Sequence, residues 1–249
     1  MIIKLLSYNI RFGGLGREKA LADTINHVGP DMVVFQEAIH PDVIERLSKA
    51  TDLPFWAARK NHSIGYLSRT EISYHEWHYP AGAKHSFLEI VLAESQTRIF
   101  GLHLSARFSK WDEQRRAREI RSLLEGIKRY QNGVHFLVGD FNTLAPGEDL
   151  QLKRMPSWIR ALIWVSGRKL QRDTIQLMLD SDYVDGFRSL HPEVKGYTFP
   201  TWDRRVRLDY VFVPKTFAER LIECDVIAEP EATIKAASDH CPLLARIDC

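Results

Sequence analysis

Cysteine is scarce: Cys224, Cys241 and Cys249 are the three in 249 residues, an odd number with no CxxC pair. They exclude a disulfide framework and a zinc knuckle and read as ordinary thiols. Long apolar runs are missing too, since none approaches the roughly 18 residues of a membrane span. The opening Met1-Ile2-Ile3-Lys4-Leu5-Leu6-Ser7 is interrupted too soon for the core of a signal peptide, so a cytoplasmic protein is the expectation. Neither sign of charge dominates. Thirty-four Lys and Arg against 32 Asp and Glu leave a formal +2, which excludes a nucleic-acid binder working by bulk charge and makes any electrostatic targeting local. Repeats, low-complexity tracts and long Pro/Gly/Ser stretches are also absent, and with them the case for linkers or arrays. What remains, 45% hydrophobic and 27% charged, has the makeup of one globular domain over residues 1–249, and a monomer is the expectation.

Apolar runs recur at Ile2 to Leu6, Met32 to Phe35, Phe87 to Ala93, Arg98 to Leu104, Val134 to Val138, Leu208 to Val213 and Leu243 to Ile247. Their shortness and β-branched content predict buried strands. Helical spacing predicts helices over Glu18 to Val28, over Pro41 to Ala50 with proline in the first turn, and over Trp111 to Tyr130. Early helices follow strands, but 54–104 reads as strands joined by short turns, so a simple doubly wound parallel sheet is disfavoured. The pattern fits a layered sandwich of sheets with helices outside.

Six chain-distant segments place polar groups at the ends of these runs: Ser7-Tyr8-Asn9, Gln36-Glu37, His103, Gly139-Asp140-Phe141-Asn142, Asp209 and Ser238-Asp239-His240. Singly, each has a plain structural role open to it. Asn9 can form a turn, Glu37 can sit as a helix N-terminal charge, Asp140 and Asn142 can make an Asx turn, and Asp239 can cap. Jointly they are carboxylates and carboxamides without thiolates, the donors of a hard divalent ion such as Mg²⁺ or Mn²⁺. The imidazoles beside them suit proton transfer or oxyanion stabilisation. The inventory is that of a hydrolase of phosphate esters.

These segments, with Gly65-Tyr66-Leu67-Ser68-Arg69, Gly101-Leu102-His103-Leu104 and Arg207-Leu208-Asp209-Tyr210-Val211-Phe212 around them, resemble in order the blocks of the endonuclease/exonuclease/phosphatase superfamily of metal-dependent phosphohydrolases. The resemblance runs over almost the whole chain. It implies an α/β fold, a four-layer α/β/β/α sandwich of two packed mixed sheets of the DNase type, with the site at one end of the sheets. It implies Glu37 as principal Mg²⁺ or Mn²⁺ ligand, Asn9 beside it and Asp239 completing or orienting the ion's water shell. Asp140 would orient and deprotonate the attacking water, and Asn142, two residues on along an extended segment, would hold a phosphate oxygen from the same side. His240 would contact the phosphate with Asp209 on its far nitrogen, or serve as base itself, and His103 would protonate the leaving oxygen or stabilise the transition state. Abasic-site endonucleases typically carry tyrosine in the block of His103, which speaks against a dedicated abasic-site repair role.

Two segments are particular to this chain. Residues 107–129 hold eight basic and four acidic residues, and the plain expectation is a solvated helix laced with pairs such as Arg115 with Glu119, against a phosphate-binding face. An insertion at about 144–180 carries the apolar 155–165 stretch with Trp158, Trp164 and Val165, either a small packed cluster or a lid touching a base or an acyl chain, and so a place for interfacial lipid contact. Tyr197 to Trp202, followed by Arg204, Arg205 and Arg207, reads equally as a wall of the cleft or as a turn into the Leu208 strand. The expected function is a metal-dependent phosphoesterase, first a nuclease on nucleic acid. A lipid or small-molecule phosphoesterase, and a non-catalytic binding protein of the same fold, are the alternatives.

Overall fold

The structure is a computed structural model and describes residues 1–79, 83–107, 109–130, 132–148 and 172–249. The 155–165 stretch of the insertion lies outside them. Counting strands along the chain, one sheet takes β1 (Ile2–Asn9), β2 (Met32–Gln36), β3 (Phe55–Ala57), β4 (Ile64–Ser68), β11 (Leu221–Val226) and β12 (Leu243–Asp248), ordered β11-β12-β1-β2-β4-β3. The other takes β5 (Ile72–His78), β6 (Phe87–Leu92), β7 (Arg98–His103), β8 (His135–Asp140), β9 (Tyr183–Asp185) and β10 (Asp209–Pro214), ordered β5-β6-β7-β8-β10-β9. Each sheet has one parallel pair, β1 with β2 and β7 with β8, among antiparallel neighbours.

Helices cover the two outer faces. α1 (Glu18–Val28) buries Leu21 and Ile25 and stops at Gly29, whose left-handed φ of 60° lets its N–H reach the Ile25 carbonyl. α2 (Pro41–Thr51) starts on its proline and buries Val43, Ile44 and Leu47. Both pack with Val33, Phe35 and the buried Ala237 of α6 (Glu231–Ala237) on the first sheet. On the second sheet, α3 (Lys110–Gly126) and α4 (Asp173–Asp180) set Ile120, Leu123, Ile175 and Met178 against Phe100, Leu137 and Phe212. A short α5 (Gly186–Leu190) closes one edge. The α/β/β/α order expected from the sequence is the order observed.

The strands' period of two decides what faces what. Ile3 and Leu5 of β1, Val34 of β2, Ile99 of β7, Phe136 and Val138 of β8, and Val211 of β10 meet between the sheets, while Leu6, Phe35, Phe100, Leu137 and Phe212 turn outward to the helices. Following the inward set to the strand ends gives Asn9, His103, Asp140 and Asp209. Polar residues thus continue the pattern of the apolar core, so the site is the end of the inter-sheet layer. Close sheet approach requires Gly101, where a Cβ would stand 2.8 Å from Val34 and 2.9 Å from Ile64. Gly139, at φ 145°, has the Leu102 carbonyl where a Cβ would go.

Candidate active site

Three strands of the second sheet end level. Asp140 is the register partner of His103 on one side and of Asp209 on the other. Across the gap, β1 delivers Asn9, whose Nδ2 donates to Asp140 Oδ2 at 3.1 Å and to Glu37 Oε1 at 3.4 Å. Glu37 leaves β2 with a left-handed φ of 59°, a conformation that turns its carboxylate under the next loop, where the Phe12 N–H donates to Oε2 at 2.6 Å. Ser63 binds both halves: its Oγ accepts from the Glu37 N–H at 3.3 Å and makes a close hydrogen bond with His103 Nδ1. His240 arrives on the loop after α6, which is held to β1 by a 2.6 Å bond from Ser238 Oγ to the Asn9 carbonyl.

Both imidazoles present Nε2 at 3.8 Å from Asp140 Oδ2, yet their surroundings differ. Burial opposes charge on His240, but Asp209 Oδ2, 2.9 Å from its Nδ1, and Asp140 outweigh that and hold it up at about 10. His103 has a hydroxyl on Nδ1 and the ring of His85 stacked on it, centroids 4.9 Å apart and planes within 6°. Burial, with His85 and His240 adding, drives it well below the ordinary histidine value. One ring is therefore a cation and the other neutral at pH 7. Burial lifts Asp140 above the usual carboxylate range; the His240 charge pulls it down and Asp209 pushes it up again. A carboxylate kept near neutrality between two imidazoles is suited to exchanging protons with water.

These groups open onto a cleft of about 520 Å³ lined by Glu37, His103, Asp140, Asn142, Asp239 and His240. Asn9 and Asp209 stand buried behind it. All eight residues singled out in the sequence are thus gathered at one place. Asn142 gets there by a route other than the expected one: β8 stops at Asp140, and Asn142 has a left-handed φ of 52°. Its N–H donates to Asp140 Oδ1 at 2.8 Å, an Asx turn, and its Nδ2 donates to the Leu104 carbonyl at 3.0 Å. The expected pair of Arg115 with Glu119 is also replaced. Glu119 is buried and accepts from Ser105 Oγ at 3.1 Å and the Lys84 N–H at 2.9 Å. Arg116 is buried as well, so it presents no face to phosphate.

Sequence reasoning missed Asn61, Ser63, Lys84 and His85, which also line the cleft, and of the 107–129 segment weighed as a phosphate-binding face it is Arg107 that lines it. The first four lie outside the ends of apolar runs, and only the contact of the two sheets' loops assembles them. The segment from Tyr197 is both wall and turn: Phe199 packs its ring 4.8 Å from His240 and also bridges Val206. Arg207 is no wall, being wholly buried on Asp185 and Glu148.

The sequence profile of the Endonuclease/Exonuclease/phosphatase family matches residues 6–240. The chain belongs to that family. Its members are phosphoester hydrolases that generally work with a divalent metal ion. The fold is shared with a solved 3′ phosphatase, NExo from Neisseria bound to product DNA hairpin, at a TM-score of 0.72, 19% identity, and coverage of 99% of this chain and 100% of that one. An AP endonuclease from Archaeoglobus fulgidus superposes at 0.74, with 16% identity over 99% and 100% of the two chains. The recombination repair protein 1 of Drosophila melanogaster is 33% identical over 81 residues, which span 29% of this chain and 11% of that protein's length. Among the described residues no helix is long and apolar enough to cross a membrane.

Proposed function

We propose that this family member is a nuclease, dependent on Mg²⁺ or Mn²⁺, that cleaves a phosphodiester by in-line attack of water. The observation that carries the reading is Asp140, a buried carboxylate at the cleft floor flanked by one charged and one neutral imidazole. DNA in the product complex of the NExo neighbour supports nucleic acid as the substrate class.

The donor set fits a hard ion. Glu37 and Asp239 bring carboxylates to a cleft wall whose lining includes no cysteine, and Asp209 Oδ1 is a buried oxygen without a hydrogen-bond partner. Asp140, Asp209 and His240 bring one ligand atom each within 4.8 Å of one another, but Asp209 and His240 are already engaged with each other at 2.9 Å, so Glu37 and Asp239, which line the cleft, are the ligands we favour. Asn9 spends Nδ2 on the two carboxylates and one lone pair of Oδ1 on the Arg11 N–H, leaving the second lone pair for an ion. When bound, the ion polarises a phosphate oxygen and offsets charge growing on the leaving group.

The chain's own groups do the rest. Asp140 orients the water and takes its proton. His240, charged and held by Asp209, hydrogen-bonds a phosphate oxygen. His103, being neutral, steadies the transition state through an Nε2–H hydrogen bond more readily than it gives the proton away. Asn142 spends one amide hydrogen on Leu104 and has the other for phosphate, and Lys84 and Arg107 bring positive charge to the rim. The test is supercoiled plasmid in Mg²⁺ and in Mn²⁺, with EDTA, Asp140→Asn and His240→Ala alongside. Nicking that all three abolish is expected; full activity in both variants would overturn the assignment, and intact plasmid and oligonucleotide with wild type would overturn the nuclease reading.

A further inference from the structure

Beside the cleft stands a group of rings that the chemistry above does not use. β5 carries His75 and Trp77 on one face, and Tyr79 follows two residues on, in the same alternation. The Trp77 indole N–H donates to the Ile64 carbonyl at 3.0 Å, which ties this strand to the start of β4. Two steps further, Tyr79 reaches His62: its hydroxyl lies 2.7 Å from Nε2, and the rings meet edge to face with centroids 5.5 Å apart. His62 also stands edge-on to Trp77 at 6.1 Å, and the Arg59 guanidinium covers Trp77 at 4.3 Å. His62 lies between Asn61 and Ser63, both of which line the catalytic cleft. The ring cluster is therefore continuous with the cleft rim.

Tyr79 is 65% exposed while its hydroxyl rests against His62, 2.7 Å from Nε2 and 3.0 Å from Nδ1. A large ring held in one orientation and open to solvent gives up little side-chain entropy on binding. The chain that leads into His62 is basic. Between Asp52 and Glu71 the chain holds Arg59, Lys60 and Arg69 and no acid, and Lys84 lies on the far lip.

We propose that Tyr79, braced by His62, is a stacking subsite for an unpaired nucleobase next to the scissile phosphate, with Arg59 and Lys60 following the strand's backbone. The inference rests on the nuclease reading and deepens it to single-stranded substrate. Exposed aromatics interleaved with cations suit a base and its phosphate together, and stacking takes any base because every base has a π face. A duplex keeps its bases inside and gains nothing from the ring.

The experiment measures KM and kcat on a labelled single-stranded oligonucleotide and on the small diester bis(p-nitrophenyl) phosphate. Tyr79→Ala should raise KM for the oligonucleotide about tenfold more than for the small diester, the size expected of one lost base–aromatic stack. Tyr79→Phe, which keeps the ring, recovers most of that loss. Tyr74→Ala, an exposed ring on the other face of β5, changes neither. In wild type, an abasic residue placed at successive positions beside the cleavage point should reproduce the rise at one position, and there add nothing in Tyr79→Ala. Equal KM changes on both substrates, or additive effects at every abasic position, overturn the stacking subsite alone. Failure of wild type to cut any oligonucleotide overturns the nuclease reading and this subsite with it.

Discussion

Glu113 and Arg116 give the sharpest stability prediction, because the ion pair is both buried and overcommitted. Each residue is 1% exposed. Arg116 donates to Glu113 Oε2 from Nε at 3.0 Å and Nη2 at 2.8 Å, while its Nη1 donates to the carbonyls of Ser105 at 2.6 Å and Arg107 at 2.7 Å. Glu113 accepts in turn from Thr143 Oγ1 and the Thr174 N–H, both at 2.8 Å. The pair thus fastens to α3 the loop after His103, the loop after Asn142 and the start of α4. Removing one partner of a buried pair leaves an uncompensated charge, at about 3–5 kcal/mol. Glu113→Leu also strands the buried Thr174 N–H, for about 1–3 kcal/mol more. Arg116→Met should therefore lower Tm by about 6–20 °C, at about 2–4 °C per kcal/mol for a chain of this size, and Glu113→Leu by more. The double variant has no buried charge left over and should recover part of the loss, remaining below wild type by the groups it strands, the Thr174 N–H, the Thr143 hydroxyl and the Ser105 carbonyl, at about 1–3 kcal/mol each. Urea and thermal unfolding of the four proteins close the cycle. A cost below about 1 kcal/mol for Glu113→Leu, as for an exposed pair, or a double variant as unstable as the summed singles, would refute the reasoning.

Two further perturbations test the strand ends. His240 is held at about 10, above its unfolded value near 6.5, so its contribution is fully present below about pH 6.5 and is lost as pH rises through 10. Asp209→Asn takes away the nearest carboxylate, and the urea midpoint should lose most of its decline over that window, with the His240 ring titrating at lower pH by NMR; an unchanged pH profile would contradict the pairing. Gly139→Ala forces a Cβ into the Leu102 carbonyl at φ 145° and should destabilise by about 3 kcal/mol or more, a loss that a denaturant melt reads directly.

Strand ends were legible in the sequence because burial is written there twice. The apolar alternation marks the face, and the polar residue that interrupts it on the same face marks where the inter-sheet layer reaches solvent. Asn9, His103, Asp140 and Asp209 all obey this rule. Asn142 does not, since a left-handed turn of backbone is a local choice that an extended reading of Gly-Asp-Phe-Asn overlooks. β11 was missed because Glu223 and Asp225 break its run, its burial being intermittent at a sheet edge. α4 and α6 were missed because eight and seven residues give too few turns to establish a period. Ser63, Lys84 and His85 belong to loops whose proximity comes from packing one sheet on the other, a fact no local window contains.

The near-neutral total charge also takes on a physical meaning. Arginine-rich segments at 107–129 and 204–207 looked like places to grip phosphate, but Arg116 and Arg207, the most deeply placed, are consumed by buried carboxylates that fasten loops. A guanidinium spent in that way cannot leave its partner for a substrate without exposing an unpaired buried charge. Among the described residues, Lys84 and Arg107 stand on the cleft wall, Arg11 lies 3.4 Å from Asp239 there, and Arg59 and Lys60 precede Asn61 in the chain. The attraction of these cations for a polyanion reaches about a Debye length of 8 Å at physiological salt, and a balance of +2 over the whole chain is compatible with such local action.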